Sequence, residues 1–117
     1  MKRENTIQVK SYQFALRVVK LYKYLIESKK EFVLSKQILR SGTSIGANVE
    51  EAIGGQSKAD FIAKLQIALK ESRETHYWIR LLIDSKFLDK RSDESILIDC
   101  EEILKLLNSI LKSSKSK

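Results

Sequence analysis

The stretch Arg40–Gly55, "RSGTSIGANVEEAIGG", holds all four glycines of the 117-residue chain. The positions of these glycines decide how the predicted helices can pack. Neither the G-x-x-x-x-G-K-[ST] nor the G-x-G-x-x-G spacing is present, so the stretch does not predict a phosphate-binding loop. Gly42 and Gly46 are four residues apart, which on a helix puts two positions without side chains one turn apart. A neighbouring helix can approach closely there. Gly54 and Gly55 are expected to end the helix.

An apolar stripe and a polar row run along this predicted helix. The apolar stripe comprises Leu34, Ile38, Gly42, Ile45, Val49 and Ala52. The polar row lies roughly 90° away and comprises Gln37, Ser41, Ser44, Asn48 and Glu51. Three interpretations of the row stay open: a hydrogen-bonded lock between helices or subunits, a solvent-exposed edge, or a ligand site.

The rest of the chain contains three more amphipathic segments separated by polar breaks. Proline is absent, which favours long helices with short connections. No alternating strand pattern bounded by turn residues is present. The sequence therefore predicts one all-α domain, an antiparallel up-down-up-down four-helix bundle. Its helices are expected at about 5–28, 33–53, 57–84 and 92–112, with N-caps at Asn5, Ser57 and Ser92.

Helices 1 and 3 are apolar over more of their circumference than one buried face requires. Each carries a second apolar row, and an exposed row of this kind marks an interface. We therefore predict a homo-oligomer; the alternative is that these two helices lie more centrally in the bundle. The expected interface residues are Phe14, Val18, Ile67, Trp78 and Leu81.

The net charge of +7 is unevenly placed. Residues 1–40 carry ten Lys and Arg against three acidic residues, so the excess lies at the N-terminal end. Such asymmetry predicts either an anionic partner or a basic solvated face. The residues expected to contact nucleic-acid phosphates are Lys10, Arg17, Lys20, Lys23, Lys36 and Arg40.

The sequence offers little for catalysis or cofactor binding. One cysteine, Cys100, and one histidine, His76, predict no metal site, no disulfide and no cofactor. Helical RNA-cleaving proteins of the HEPN class separate an arginine and a histidine by four to six residues, whereas only two separate Arg73 from His76. We expect no enzyme, no membrane span and, without a signal peptide, a cytoplasmic location.

The segment Leu34–Ile79 resembles the small bacterial four-helix-bundle proteins encoded within intervening sequences of 23S ribosomal RNA genes, which are often named ribosomal proteins. Gln37, Arg40, the S-I-x-x-N-x-x-E pattern of Ser44, Ile45, Asn48 and Glu51, Phe61 and the segment 68–74 carry the resemblance. The family tends to have Gly-Arg after the glutamate, where this chain has Ala52-Ile53-Gly54-Gly55.

The resemblance implies an antiparallel bundle that assembles as a homopentamer. A related branch, the accessory protein of diversity-generating retroelements, is a basic pentamer that binds nucleic acid and a reverse transcriptase. The leading hypothesis is a non-enzymatic oligomeric protein whose basic surface contacts RNA or DNA. The alternative is a protein adaptor that docks a partner enzyme without binding nucleic acid.

Overall fold

The computed structural model describes residues 3–115, apart from the side chains of Arg3, Glu4 and Ser92. Four helices fill this range, and it contains no strand, so the predicted all-α class is confirmed. The helices are α1 (Arg3–Glu27), α2 (Leu34–Ile53), α3 (Lys58–Asp84) and α4 (Lys90–Lys115).

The four helices form an elongated bundle of 46 × 22 × 21 Å. Each helix packs on two others: α1 on α2 and α4, and α3 on α2 and α4. The pairs α1/α3 and α2/α4 therefore lie on the diagonals. Over the described residues, no helix combines the length and apolar character needed to cross a membrane.

The core runs along the bundle axis and takes residues from every helix. The predicted apolar stripe of α2 supplies its centre, with Ile38, Ile45 and Val49 completely buried. These three pack in one cluster with Leu65 of α3 and Leu107 of α4. The stripe assignment on α2 is confirmed.

The closest helix contact lies where the glycines are. A Cβ atom added to Gly42 would lie 2.7 Å from Val18 Cγ2, and one added to Gly46 would lie 3.3 Å from the backbone oxygen of Ser11. Real Cβ atoms do not approach as near as the first of these distances, so only glycine allows α1 to pack at this depth. The predicted role of Gly42 and Gly46 is confirmed.

This contact fixes the rotation of α1 and corrects the predicted oligomer interface. Phe14 and Val18 are 2% and 0% exposed, so both belong to the core of a single copy and cannot contact a second one. The outward side of α1 instead carries Val9, Tyr12 and Leu16, which are 45%, 63% and 56% exposed. The prediction that Phe14 and Val18 contact another copy is therefore wrong, because the close packing on α2 turns both side chains into the core.

The second apolar row of α3 is partly covered within one copy. Ile67 is 40% exposed, as an interface residue requires, whereas Trp78 and Leu81 are half-buried. Trp78 packs against the core, and its indole Nε1–H donates to Glu74 Oε2 at 3.1 Å.

Side chains cap the starts of α2, α3 and α4, and of the three predicted caps only Ser57 is correct. Ser57 Oγ accepts from the Asp60 backbone N–H at 3.1 Å, as expected. Asn5 is not an N-cap, because α1 already begins at Arg3. Helix α4 begins at Lys90, where Asp89 Oδ1 accepts from the Arg91 N–H at 2.8 Å. The predicted cap Ser92, whose side chain lies outside the described residues, is thus inside the first turn.

Glu31 caps α2 from the preceding loop, a role the sequence did not indicate. Its carboxylate accepts from the backbone N–H groups of Val33, Leu34 and Ser35 at 3.2, 3.0 and 2.7 Å. Partial burial raises the pKa of this carboxyl, but the three backbone N–H donors lower it by more, and the net pKa lies below the ordinary value of 4.5. The ionised carboxylate therefore stabilises the folded state.

Gly42→Ala is expected to lower the free energy of unfolding by about 2 kcal/mol. Overpacking against the buried, β-branched Val18 costs about 3 kcal/mol, and the helix propensity that alanine gains over glycine offsets about 1 kcal/mol of this. Chemical denaturation measures the change. Gly54→Ala is the control, because its Cβ atom would lie at an ordinary 3.5 Å from the nearest heavy atom. A Gly42→Ala variant as stable as the wild type would contradict the close contact.

Glu31→Gln is expected to lower the free energy of unfolding by about 1 kcal/mol at pH 7, because the α2 cap loses its charge. Since the folded pKa is depressed, this stabilisation is present above the unfolded value of 4.5 and is lost as the pH falls through the folded value. Denaturation of both proteins between pH 7 and 3 should show the difference shrinking below pH 4.5. Glu27→Gln, an exposed glutamate in the last turn of α1, should have no such effect; an equal effect of both variants would disprove the cap.

Candidate nucleic-acid interface

The six predicted phosphate-contacting residues do not form one free surface. Arg17 and Lys10 lie on the side of α1 that packs on α4, and Arg40 lies on the side of α2 that packs on α3. Only Lys20, Lys23 and Lys36 have no carboxylate within salt-bridge distance among the described side chains. Three of the six predicted residues therefore form ion pairs with carboxylates, and the other three are unpaired lysines.

Lys10 and Arg17 form ion pairs with α4. Lys10 Nζ lies 3.4 Å from Glu102 Oε2, and Arg17 contacts Asp99 and donates to Ser95 Oγ at 2.9 Å. All four charged side chains are between 41% and 53% exposed, so each pair contributes at most about 1 kcal/mol to stability. The pairing nevertheless reduces the positive potential along this side of α1.

Arg40 belongs to a polar network between α2 and α3. Its guanidinium donates to Glu74 Oε2 at 2.6 Å and lies 3.8 Å from Glu71 Oε2. The Glu71 side chain is only 12% exposed, so Arg40 is the cation that compensates this nearly buried carboxylate. With two carboxylates beside it, Arg40 is a structural residue rather than a free phosphate contact.

The unpaired lysines lie toward the end of the bundle where two loops meet. The contacts of Val18 with Gly42 and of Ser11 with Gly46 set an antiparallel register that places Lys23 level with Lys36. Lys20 is one turn farther from the loops. All three side chains are exposed.

Other lysines at this end were not among the predicted site residues. Lys29 and Lys30 lie in the α1–α2 loop, and Lys86 lies in the α3–α4 loop beside Lys90, the first residue of α4. All four are exposed, and within residues 3–115 none has a carboxylate at salt-bridge distance. The predicted antiparallel topology could have indicated these lysines, since it puts the α1–α2 and α3–α4 loops at the same end of the bundle.

A groove of about 1,140 Å³ opens at this end between α1, the end of α3 and the start of α4. Its apolar lining comes from Leu21, Tyr24, Ile83, Leu88 and Ile96. Its charged lining comes from Arg17, Lys20, Lys29, Lys86, Lys90, Asp84, Asp89 and Asp93. Basic residues therefore outnumber acidic ones around an apolar floor.

The polar row of α2 forms no continuous lock within one copy. The Asn48 amide donates to Ser44 O at 2.8 Å and to Ser44 Oγ at 3.2 Å, both within α2. Glu51 lies 3.5 Å from Lys64 in an exposed pair. The buried contact to α3 comes instead from Ser41, whose Oγ accepts from Thr75 Oγ1 at 2.9 Å.

His76 and Cys100 are both held in structural contacts. His76 Nε2 lies 3.0 Å from Glu101 Oε2 across the α3–α4 interface. Burial, with smaller contributions from Glu101 and Asp99, raises the pKa of the Cys100 thiol to about 12, and Sγ donates to Ser72 O at 3.4 Å. A thiol with this pKa is a poor nucleophile at neutral pH. Among the described residues, no group of three or more His, Cys, Asp or Glu side chains is placed to hold a metal ion.

Comparison with known proteins connects this geometry to a family. The family model described as 23S rRNA-intervening sequence protein matches residues 3–109. A crystal structure of a protein of unknown function from the S23 ribosomal protein family of Bacteroides thetaiotaomicron VPI-5482 is 57% identical in sequence, with a TM-score of 0.92. The match covers 95% of this chain and 99% of that one. No curated protein matches the chain.

Proposed function

The chain belongs to the 23S rRNA-intervening sequence protein family, and on that premise we propose that it is a non-enzymatic, oligomeric protein that binds RNA or DNA through its loop end. The loop end is the surface formed by Lys20, Lys23, Lys36 and the lysines of the α1–α2 and α3–α4 loops. The structural neighbour from Bacteroides is described as a protein of unknown function, so the proposal depends on the geometry of this chain.

The observation that carries the proposal is the convergence of exposed, unpaired lysines at one end of the bundle. Two of the acidic residues at this end are engaged elsewhere: Glu31 caps α2, and Asp89 caps α4. Two capping carboxylates are thus directed at backbone N–H groups rather than at the lysines. The lysine ammonium groups remain available to phosphates.

Binding through such a surface has a defined physical character. Lysine ammonium groups that contact phosphates release condensed counterions, so affinity falls steeply as salt rises and depends little on sequence. Phosphate contacts of this kind position a nucleic acid without reading its base edges.

The non-enzymatic part of the proposal is supported by the environment of His76. Its ring pairs with Glu101 rather than with Arg73, which is exposed on the same helix. The other reactive side chain of the chain, Cys100, is buried with a raised pKa. The Cys100 thiol is therefore a poor nucleophile, and the His76–Glu101 contact joins α3 to α4.

The oligomeric part of the proposal comes from two exposed apolar faces on diagonal helices. The α1 face comprises Val9, Tyr12 and Leu16, which are 45%, 63% and 56% exposed, and the α3 face is centred on Ile67. Because α1 and α3 lie on a diagonal, the two faces lie on different sides of the bundle. An α1 face that packs on the α3 face of the next copy makes a head-to-tail contact, and such a contact closes into a ring when each copy is rotated relative to the last by a fixed fraction of a full turn. The family resemblance implies five copies.

Replacing Lys20, Lys23 and Lys36 by glutamine is expected to weaken binding of a mixed-sequence duplex by about tenfold or more. The slope of log K against log[salt] should also become shallower, by up to about 0.9 for each lost phosphate contact. Fluorescence anisotropy titrations at several salt concentrations measure both quantities.

The matched control replaces Lys58, Lys70 and Lys105 by glutamine. These exposed lysines lie away from the loop end, and their replacement removes the same net charge. A smaller loss is expected for this variant, and equal losses would disprove the location of the site. Absence of salt-dependent binding by the wild type, with co-purification of a polypeptide instead, would favour the adaptor function.

Leu16→Glu and Ile67→Glu are each expected to shift the protein from oligomer toward monomer, because each places a charge in the proposed contact between copies. Sedimentation velocity at micromolar concentration measures the shift. Ile98→Glu is the control, since Ile98 is 48% exposed on α4, outside both faces. A wild-type monomer, or dissociation by Ile98→Glu alone, would contradict the proposed contact.

A further inference from the structure

The groove at the loop end is large and open enough to hold a segment of a polymer chain. Its volume of about 1,140 Å³ exceeds the roughly 300–1,000 Å³ that is common for pockets of small ligands. It is open to solvent along the bundle end, where α1 and the start of α4 form opposite walls. A flexible polymer segment can enter it from the side.

The charge of the walls favours an anionic segment. Lys20 and Lys29 lie on the α1 side, and Lys86 and Lys90 lie on the opposite side. Of the acidic residues in the lining, Asp93 accepts from the Asp89 N–H at 2.7 Å, and Asp89 accepts from the Arg91 N–H at 2.8 Å. Both carboxylates hold the start of α4, and the third acidic residue of the lining, Asp84, is exposed. None of the four lysines has a carboxylate within salt-bridge distance among the described residues, so positive charge is in excess around the groove.

Tyr24 adds an aromatic surface to this basic groove. It lines the groove and is 42% exposed, and it lies in the last turn of α1 on a backbone that is hydrogen-bonded to Ser28 and Lys29. An aromatic ring between cations is the arrangement that binds single-stranded nucleic acid, in which the base stacks and the phosphates pair with the cations. Base faces inside a duplex are already stacked and cannot use such a ring.

We propose that the groove binds an unpaired segment of RNA or DNA, with one base stacked on Tyr24 and the flanking phosphates contacted by Lys20, Lys29, Lys86 and Lys90. This inference rests on the proposed nucleic-acid-binding function and makes it specific. It assigns a preference for single strands over duplexes, which the basic surface by itself does not provide. The preference depends on whether the bases are unpaired, and it does not depend on the base sequence.

The test compares a fluorescent single-stranded oligonucleotide with a blunt-ended duplex of the same sequence. Tyr24→Leu, which keeps an apolar side chain without a ring, is expected to weaken single-strand binding by about fivefold or more and to leave duplex binding unchanged. Tyr24→Phe should retain the wild-type affinity, because the ring is preserved. Thermal melting of each variant establishes that it is folded.

Phe32→Leu is the matched control, since Phe32 is a more exposed aromatic residue at the same end that does not line the groove. It should leave single-strand binding unchanged. Loss of binding in Phe32→Leu but not in Tyr24→Leu, or equal weakening of single strand and duplex by Tyr24→Leu, would overturn the groove assignment while the proposed function stands. A wild type that binds neither oligonucleotide at low salt would overturn both.

Discussion

The structure depends on the contact between Gly42 and Val18. Because α2 has no side chain at this position, α1 packs at a depth that any Cβ atom would prevent. The contact of Gly46 with the Ser11 backbone, two turns away along α1, extends it and fixes the rotation of α1 as well as its distance. That rotation decides which apolar side chains of α1 enter the core. Phe14 and Val18 turn inward, and Tyr12 and Leu16 turn outward.

The same rotation divides the positive charge of α1 into two parts with different consequences. Lys10 and Arg17 come opposite Glu102 and Asp99 of α4, and their charge is largely compensated. Beyond Arg17, α1 lies beside the start of α4, which Asp89 caps, and among the described side chains neither Lys20 nor Lys23 has a carboxylate within salt-bridge distance. Positive potential therefore concentrates at the loop end although the basic residues are spread along the whole helix.

Much of this fold could be predicted from the sequence, because it depends on local patterns. The four helices, the apolar stripe of α2 and the role of Gly42 and Gly46 follow from residue spacing within single helices. The buried row of α1 could not be predicted, since the choice depends on glycines of another helix. The site likewise depends on residues of other helices. Carboxylates of α3 and α4 decide which basic residues of α1 and α2 remain unpaired, and the bundle topology brings Lys29 and Lys86 to the same end.

The position of the proposed interface between copies has a consequence for the proposed binding surface. Both apolar faces lie on the sides of the elongated bundle, so in the proposed ring, with the helices of neighbouring copies aligned, the axis would run parallel to the helices. All copies would then present their loop ends on the same face of the ring, and the lysines of neighbouring subunits would form one continuous basic rim. A nucleic acid that contacts one loop end is held at high effective concentration near the next, so individually weak contacts combine into strong binding. In the proposed ring, a surface with few cations per copy would therefore suffice for binding.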